Sequence, residues 1–231
     1  MRGAARLVLR RLVVGLLECM LVLRSVRPRP RLAALTFDDG PRPTLTPALI
    51  AALRDCDVPA TFFVLGALVQ QHPDLVRMLV DAKMEIGSHG MHHISLRGRP
   101  AADQAAEIAE GARVIGAASG QRVNLFRAPY GEYDEDTFAA LDITGQELVG
   151  WNVDPYEWTG IDVVATVARV VSGARTPAVI LMHDASASTV AAIPGIVRAY
   201  RGAGYRFVTV SEISRAFPSA RSLAQLSPKY P

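Results

Sequence analysis

Short apolar runs at 32–37, 60–65, 84–88, 124–127, 147–152, 178–182 and 206–210 read as buried strands. Between them lie helix-like stretches near 46–55, 73–83, 101–118, 134–142, 162–172 and 189–202, with a last one near 211–217. Asp74-Leu75-Val76-Arg77-Met78-Leu79-Val80 carries apolar residues at helical spacing, and Pro73 suits the first helical position. Strands alternating with helices are the pattern of repeated βα units around a parallel sheet. The periodicity therefore establishes an α/β fold and nothing narrower. No internal repeat, low-complexity tract or second domain is visible, and 231 residues suffice for one α/β domain with a large core.

Polar residues collect where these strands end. Leu32-Ala33-Ala34-Leu35 leads into Thr36-Phe37-Asp38-Asp39-Gly40-Pro41, which sets two adjacent carboxylates before a Gly-Pro turn. Inside regular pleat their side chains would face opposite ways. Where the strand gives way to a loop, both can reach one pocket. Two like charges there are costly unless a metal or an arginine takes up one of them.

Further ligands stand in Ile86-Gly87-Ser88-His89-Gly90-Met91-His92-His93. His89 and His93 are four apart, the spacing that brings two imidazoles to one side of a helical turn. Neutral imidazole is the commonest protein ligand for zinc and similar metals. One carboxylate with two histidines leaves a position for water, a catalytic rather than a structural arrangement. Three of the five histidines (72, 89, 92, 93 and 183) fall in this loop. His92 is the alternative partner at the i+3 spacing; His93 is preferred. A plain polar loop is the simpler account of His-x-x-x-His alone, and the carboxylate pair upstream weighs against it.

Three later segments end buried-strand patterns in the same way. They are Asn124-Leu125-Phe126-Arg127-Ala128-Pro129-Tyr130-Gly131, Trp151-Asn152-Val153-Asp154-Pro155-Tyr156-Glu157-Trp158, and Ala178-Val179-Ile180-Leu181-Met182-His183-Asp184. In parallel α/β folds the strand ends are where chemistry gathers.

Together the five segments resemble, in order, the five motifs of the polysaccharide deacetylase family, the carbohydrate esterases that share the chitooligosaccharide deacetylase domain. Residues 36–41 match the first motif completely. Residues 88–93 match the second in both histidines, with Gly90 where threonine is usual and Ile94 where proline is usual. Residues 127–130 match the third and 181–183 the fifth. The fourth, usually Asp-x-x-Asp-Trp, reads Asp154-Pro155-Tyr156-Glu157-Trp158. The similarity spans roughly residues 32–215.

The resemblance implies a distorted (β/α)7 barrel with its site at the C-terminal mouth of the strands. It implies a metal-dependent hydrolase that removes N-acetyl groups from N-acetylglucosamine units of a glycan, giving acetate and a free amine. Peptidoglycan, a chitin-like oligomer and a lipid-linked sugar are all candidate substrates. Carried over by motif, Asp38 is the general base, while Asp39, His89 and His93 hold a divalent metal, Zn²⁺ first and Co²⁺ or another ion as the alternative. The peptide N–H of Tyr130 would stabilise the oxyanion, His183 would be the catalytic acid, and Arg127 would keep Asp38 ionised and oriented. Glu157 would orient and charge His183, with Asp154 the lesser alternative. If the extra methylene of Glu157 is a compromise, Glu157→Asp should match or raise turnover. Trp151, Tyr130 and Tyr133 are candidates to face a sugar ring, each equally readable as packing, and Trp158 is equally readable as core.

Charge and cysteines narrow the picture little. The net charge of +3 conceals eight arginines in residues 1–31 against the single acid Glu18; the remainder carries a net −4. The basic balance thus belongs to the tail, and the domain gives no sign of nucleic-acid binding. A neutral acetylated amino-sugar glycan suits it, and a monomer is expected. Cys19 and Cys56 form no disulfide framework. Leu12 to Leu23, after an arginine-rich start, resembles the apolar region of a signal peptide, but Glu18 interrupts it and no Ala-x-Ala pattern follows. An export or membrane-anchor segment, then an Arg/Pro linker, is the reading of 1–31, with 32–217 the catalytic domain and 218–231 a C-terminal tail. A location outside the cytoplasm or at a membrane follows, with the cytoplasm as the alternative.

Two rival functions use the same residues differently. An O-acetyl esterase or another amide hydrolase would employ an identical site. A glycan-binding protein with a degraded site would account for Glu157 and the altered second motif, but has no need of base, metal triad and acid together.

Overall fold

The computed structural model describes residues 30–217, so the expectations for the tails before Pro30 and after Phe217 lie outside the described residues. Seven strands, all parallel, form one sheet: β1 (Leu32–Gly40), β2 (Ala60–Val64), β3 (Glu85–Ser88), β4 (Leu125–Phe126), β5 (Glu147–Leu148), β6 (Ala178–His183) and β7 (Arg206–Phe207). Their order is β5-β4-β3-β2-β1-β6, with β7 paired to the first two residues of β1. The sheet curls until its ends meet. Beyond β5, Val149 still donates to Phe126, and the chain then crosses to β6 through a parallel bridge between Val153 and Ile180. The expected distorted (β/α)7 barrel is therefore observed, with β5 and β7 shorter than their apolar runs. The run 147–152 is cut because the chain leaves β4 for β6. The run 206–210 is cut because Thr209 caps a helix in a capping box with Glu212.

Among the described residues eight α-helices cover the outside: α1 (Leu45–Asp55), α2 (Gly66–Gln71), α3 (Pro73–Asp81), α4 (Ala101–Ser119), α5 (Glu135–Thr144), α6 (Val163–Ser172), α7 (Ala187–Gly202) and α8 (Val210–Ala216). Only α2 has no counterpart in the sequence pattern. It is six residues long, starts on a glycine and has no side-chain cap.

Strand alternation separates two layers of the core, and a third cluster gathers Phe126 and Leu148 with Ile108 and Leu141. Ala33, Leu35 and Phe37 of β1 join Phe62, Val64, Ile180 and Met182 in packing against helix residues such as Leu49, Leu53, Val76, Leu79, Ile193 and Ile196. Leu32 and Ala34 face the barrel interior with Phe63, Leu125, Trp151, Val179 and Leu181. Each fully buried Leu, Ile or Phe contributes about 1.5–3 kcal/mol relative to an exposed one, so the layers hold the strand ends firmly. By the same alternation Thr36 and Asp38 continue the inward row of β1 toward its C-terminal end. That row leads into the site.

Candidate active site

At the mouth of the barrel the inward residues become polar. Asp38 is 3% exposed and Arg127, just after β4, is fully buried. Arg127 donates from Nη1 to Asp38 Oδ1 (2.8 Å) and to Thr36 Oγ1 (2.8 Å), and from Nη2 to the carbonyl of Gly150 (3.1 Å). Its guanidinium lies 4.1 Å from the ring centre of Phe63 and 5.6 Å from that of Trp151. Burial lowers the pKa of the arginine, and the Asp38 charge opposes that shift. A buried cation so enclosed fixes one Asp38 oxygen and leaves the other, Oδ2, turned to the site, 3.9 Å from His89 Nε2.

Asp39 reaches the same pocket because the pleat breaks there. Its φ is 68°, in the left-handed region, and the β1–β2 register shifts between Asp38 and Gly40. The bulge is what turns two successive carboxylates to one side. His89 and His93 meet differently from the helical turn that their spacing suggested. Residues 89–93 are loop, with Gly90 at φ 85° and His93 at φ 53°, and this curl brings the ring centres to 5.1 Å. A helix cannot start there because the segment continues β3 and then bends over α2. His92 turns outward, its side chain 60% exposed, and pairs with Glu107.

Asp39, His89 and His93 each offer a ligand atom, all within 4.8 Å of one another. His89 Nδ1–H donates to the Arg127 carbonyl (2.8 Å), so its Nε2 keeps a free lone pair. Burial lowers the pKa of His89, against the charges of Asp38 and Asp39 and the bond to Arg127, which raise it. That lone pair faces Asp39 Oδ1 at 3.5 Å; His93 Nε2 is 3.2 Å from the same oxygen, which is buried and accepts no hydrogen bond. A cation placed between these atoms would satisfy all three at once. Burial raises the Asp39 carboxyl, but the close contact with His93 and the charges of His89, His93 and His183 outweigh it and hold the group near 2. The residues present fit a divalent ion of the Asp-His-His type.

Beside Asp38, at the end of the neighbouring strand β6, His183 is held by Glu157: 2% exposed, Glu157 accepts through Oε1 from both the peptide N–H of His183 (2.7 Å) and its ring Nδ1–H (2.9 Å). Asp154, the lesser alternative for that role, caps the Tyr156 N–H in a turn through Oδ1 (2.8 Å). Burial pulls the pKa of His183 down, yet the Glu157 bond and the charges of Asp38, Glu157 and Asp39 lift it to about 9. Tyr130, at φ 60° in the 129–131 turn, sets its ring edge-on to His93 with centres 4.5 Å apart. Of the other aromatics, Trp151 is buried on Arg127, Tyr133 packs on Phe138, and Trp158 is 60% exposed rather than core.

Two supporting acids escaped the sequence reading. Asp184, fully buried, donates its peptide N–H to the Asp38 carbonyl (2.8 Å) and accepts from the Thr46 hydroxyl. It lies under Gly40, where a Cβ would come within 2.6 Å of Asp184 Oδ2. Glu107 on α4 bonds the peptide groups between the two ligand histidines. Its signal was Gly111 one turn later, a glycine inside a helix otherwise rich in alanine, which commonly marks a close backbone approach. A cleft of about 620 Å³ opens on the flank of the barrel near Arg169 and Arg175, and none of the eight candidate residues lines it.

A parallel barrel whose mouth carries a buried carboxylate–arginine pair, an Asp-His-His cluster that fits a divalent ion and a carboxylate-backed histidine has the parts of an amide hydrolase. Residues 25–149 match the polysaccharide deacetylase family, and the chain belongs to it. It is 35% identical over 190 residues to a peptidoglycan-N-acetylglucosamine deacetylase of Bacillus cereus, covering 80% of this chain and 89% of that protein. It is also 35% identical over 186 residues to a chitooligosaccharide deacetylase of Sinorhizobium fredii, covering 80% and 83%. Among solved structures, a family 4 carbohydrate esterase of Streptomyces lividans in complex with acetate aligns with TM-score 0.72 and 37% identity, over 76% of this chain and 90% of that one. The protein is accordingly a hydrolase acting on carbon–nitrogen amide bonds, within a family of polysaccharide N-deacetylases.

Proposed function

We propose that this protein removes the N-acetyl group from N-acetylglucosamine units of a glycan, peptidoglycan or a chitin-like oligomer, with a divalent ion held by Asp39, His89 and His93. The observation that carries the reading is the pair of acid–base devices at one barrel mouth: Asp38 locked by Arg127, and His183 backed by Glu157. Bound at the triad, Zn²⁺ or a similar ion supplies Lewis acidity, drawing charge from a water and from the amide carbonyl.

The chain supplies the proton transfers. Asp38 takes a proton on Oδ2 as water attacks the amide carbon, its other oxygen staying fixed on Arg127. The peptide N–H of Tyr130 is assigned to the developing oxyanion, a donor worth about 3 kcal/mol in comparable sites. The C–N bond then breaks only if the nitrogen gains a proton, because an amide anion is a very poor leaving group. His183, its pKa raised by the Glu157 bond and the neighbouring carboxylates, gives that proton from Nε2 while Nδ1–H stays on Glu157. An O-acetyl ester could be cleaved by the same residues; the amide is favoured by the similarity to deacetylases of peptidoglycan and chitooligosaccharides.

The test is acetate release by the full chain with Zn²⁺ or Co²⁺ restored, on N-acetylglucosamine oligomers, peptidoglycan and acetylated xylan in parallel. Metal-dependent acetate from the amino-sugar substrates supports the reading. Acetate from xylan alone would replace it with the esterase, and silence without bound metal would favour the glycan-binding protein.

A further inference from the structure

The loop that joins the two ligand histidines has no regular structure of its own, yet it must hold two imidazoles to within a fraction of an ångström. Its peptide groups are tied down from two sides. On one side the first amides of α2 reach into it: Gly66 N–H donates to the Gly90 carbonyl (3.0 Å) and Ala67 N–H to that of Met91 (2.9 Å). On the other side stands Glu107. Its Oε1 accepts from the consecutive amides of Met91 (2.8 Å) and His92 (2.6 Å), while Oε2 meets His92 Nδ1 at 3.0 Å. Gly90 N–H turns back to Ser88 Oγ (3.1 Å). Both helices come close enough to do this only through glycine. A Cβ on Gly66 would stand 2.5 Å from the Met91 sulfur, and one on Gly111 would stand 2.7 Å from the Gly90 carbonyl carbon.

Glu107 is the one charged member of this clamp, and its side chain is only 12% exposed. A carboxylate bridging two successive amides makes short, charge-assisted bonds, stronger than neutral ones. Those bonds lie between Gly90, at φ 85°, and His93, at φ 53°. Left-handed backbone at a non-glycine residue costs about 1–3 kcal/mol and persists only where the surroundings over-determine it. We propose that Glu107 is a positioning residue of the metal centre, fixing through the 91–92 backbone the approach of His93 to Asp39 and His89. The inference rests on the metal site of the proposed function. Glu107 touches neither the metal nor the substrate, so its effect is on the affinity and geometry of the ion.

The experiment is Co²⁺ titration of the full chain, followed by its visible absorption spectrum, together with hydrogen exchange at the Met91 and His92 amides. Glu107→Ala is expected to weaken Co²⁺ by tenfold or more, in line with losses of supporting groups around other metal sites. It should also alter the Co²⁺ spectrum and speed exchange at both amides. Glu107→Gln keeps an oxygen for the two amides and should stay within about threefold of wild type, well short of that loss. It also serves if the alanine variant fails to fold. His92→Ala removes the exposed ring and its contact with Glu107 Oε2 but keeps both amide bonds, so affinity should stay within about threefold of wild type. Unaltered Co²⁺ affinity and spectrum in a folded Glu107→Ala protein, or a glutamine variant as weak as the alanine one, would overturn the role of Glu107. A wild-type chain that binds no Co²⁺ would overturn the metal reading and this inference with it.

Discussion

Replacing Glu157 by glutamine is the sharpest way to ask whether His183 is the acid. The step of His183 from 6.5 to about 9 corresponds to roughly 3 kcal/mol of preference for the imidazolium, achieved against burial. Two of the four influences that raise it, the hydrogen bond and one of the charges, come from Glu157; Asp38 and Asp39 supply the others. Glutamine keeps an oxygen for the ring and for the His183 amide but loses the charge. It should lower the pKa by about one to two pH units, or about 1–3 kcal/mol. The assay is acetate release from an N-acetylglucosamine oligomer across pH 6–10, together with NMR titration of the histidine ring in wild type and variant. A bound divalent cation repels the imidazolium in both proteins, so the difference between their alkaline limbs is the quantity to read. Stability gives the matching sign: a raised histidine pKa stabilises the native state below 6.5, and that contribution is lost as pH rises through about 9. The advantage of wild type over Glu157→Gln should therefore vanish above pH 9. An alkaline limb that stays in place would refute the proton-donor role. Glu157→Asp should lower turnover, contrary to the compromise suggested by sequence, because the longer side chain already reaches both His183 donors.

Other substitutions test the rest of the site. Arg127→Met strands a buried carboxylate and should cost about 3–5 kcal/mol in urea unfolding, while adding Asp38→Asn should recover part of that loss; strictly additive losses would deny the coupling. Asp39→Ala should abolish metal binding and acetate release together, and stoichiometric metal in that variant would sink the ligand assignment. Asp184, pushed by burial from 3.8 up to about 6, keeps its proton in the native state where the unfolded chain loses it. Its contribution thus falls by about 3 kcal/mol as pH rises from 3.8 to 6, and chemical denaturation should find that slope missing from Asp184→Asn.

The barrel was largely legible because its strands are continuous apolar runs and its helices carry the complementary period. What the pattern missed was set by chain neighbours far apart in sequence. The run 147–152 looks like one strand, and only the presence of β6 explains why it leaves β4 after Val149. The candidate site was legible as residue types at strand ends, but its supports were not. Glu107 and Asp184 act on backbone groups of other segments, and a side chain that bonds a peptide leaves no residue-type partner to recognise.

That division follows from how the site solves its geometric problem. Regular strands present every second residue to the barrel mouth, which accounts for Asp38, Arg127 and His183 but cannot add Asp39 or His93. Those two arrive through left-handed backbone, as does the Tyr130 turn, and each such residue carries a local cost of about 1–3 kcal/mol. The cost must be met by contacts that exist only in the folded chain. Asp184 beneath Gly40 and Glu107 beside Gly90 are placed to meet it, each a nearly buried carboxylate set against a glycine with no room for a Cβ or little to spare. Strand ends thus deliver the proposed base, its arginine and the proposed acid, while clamped irregular loops deliver most of the proposed metal ligands. The metal half of the site should accordingly be the half more easily lost to substitutions at a distance.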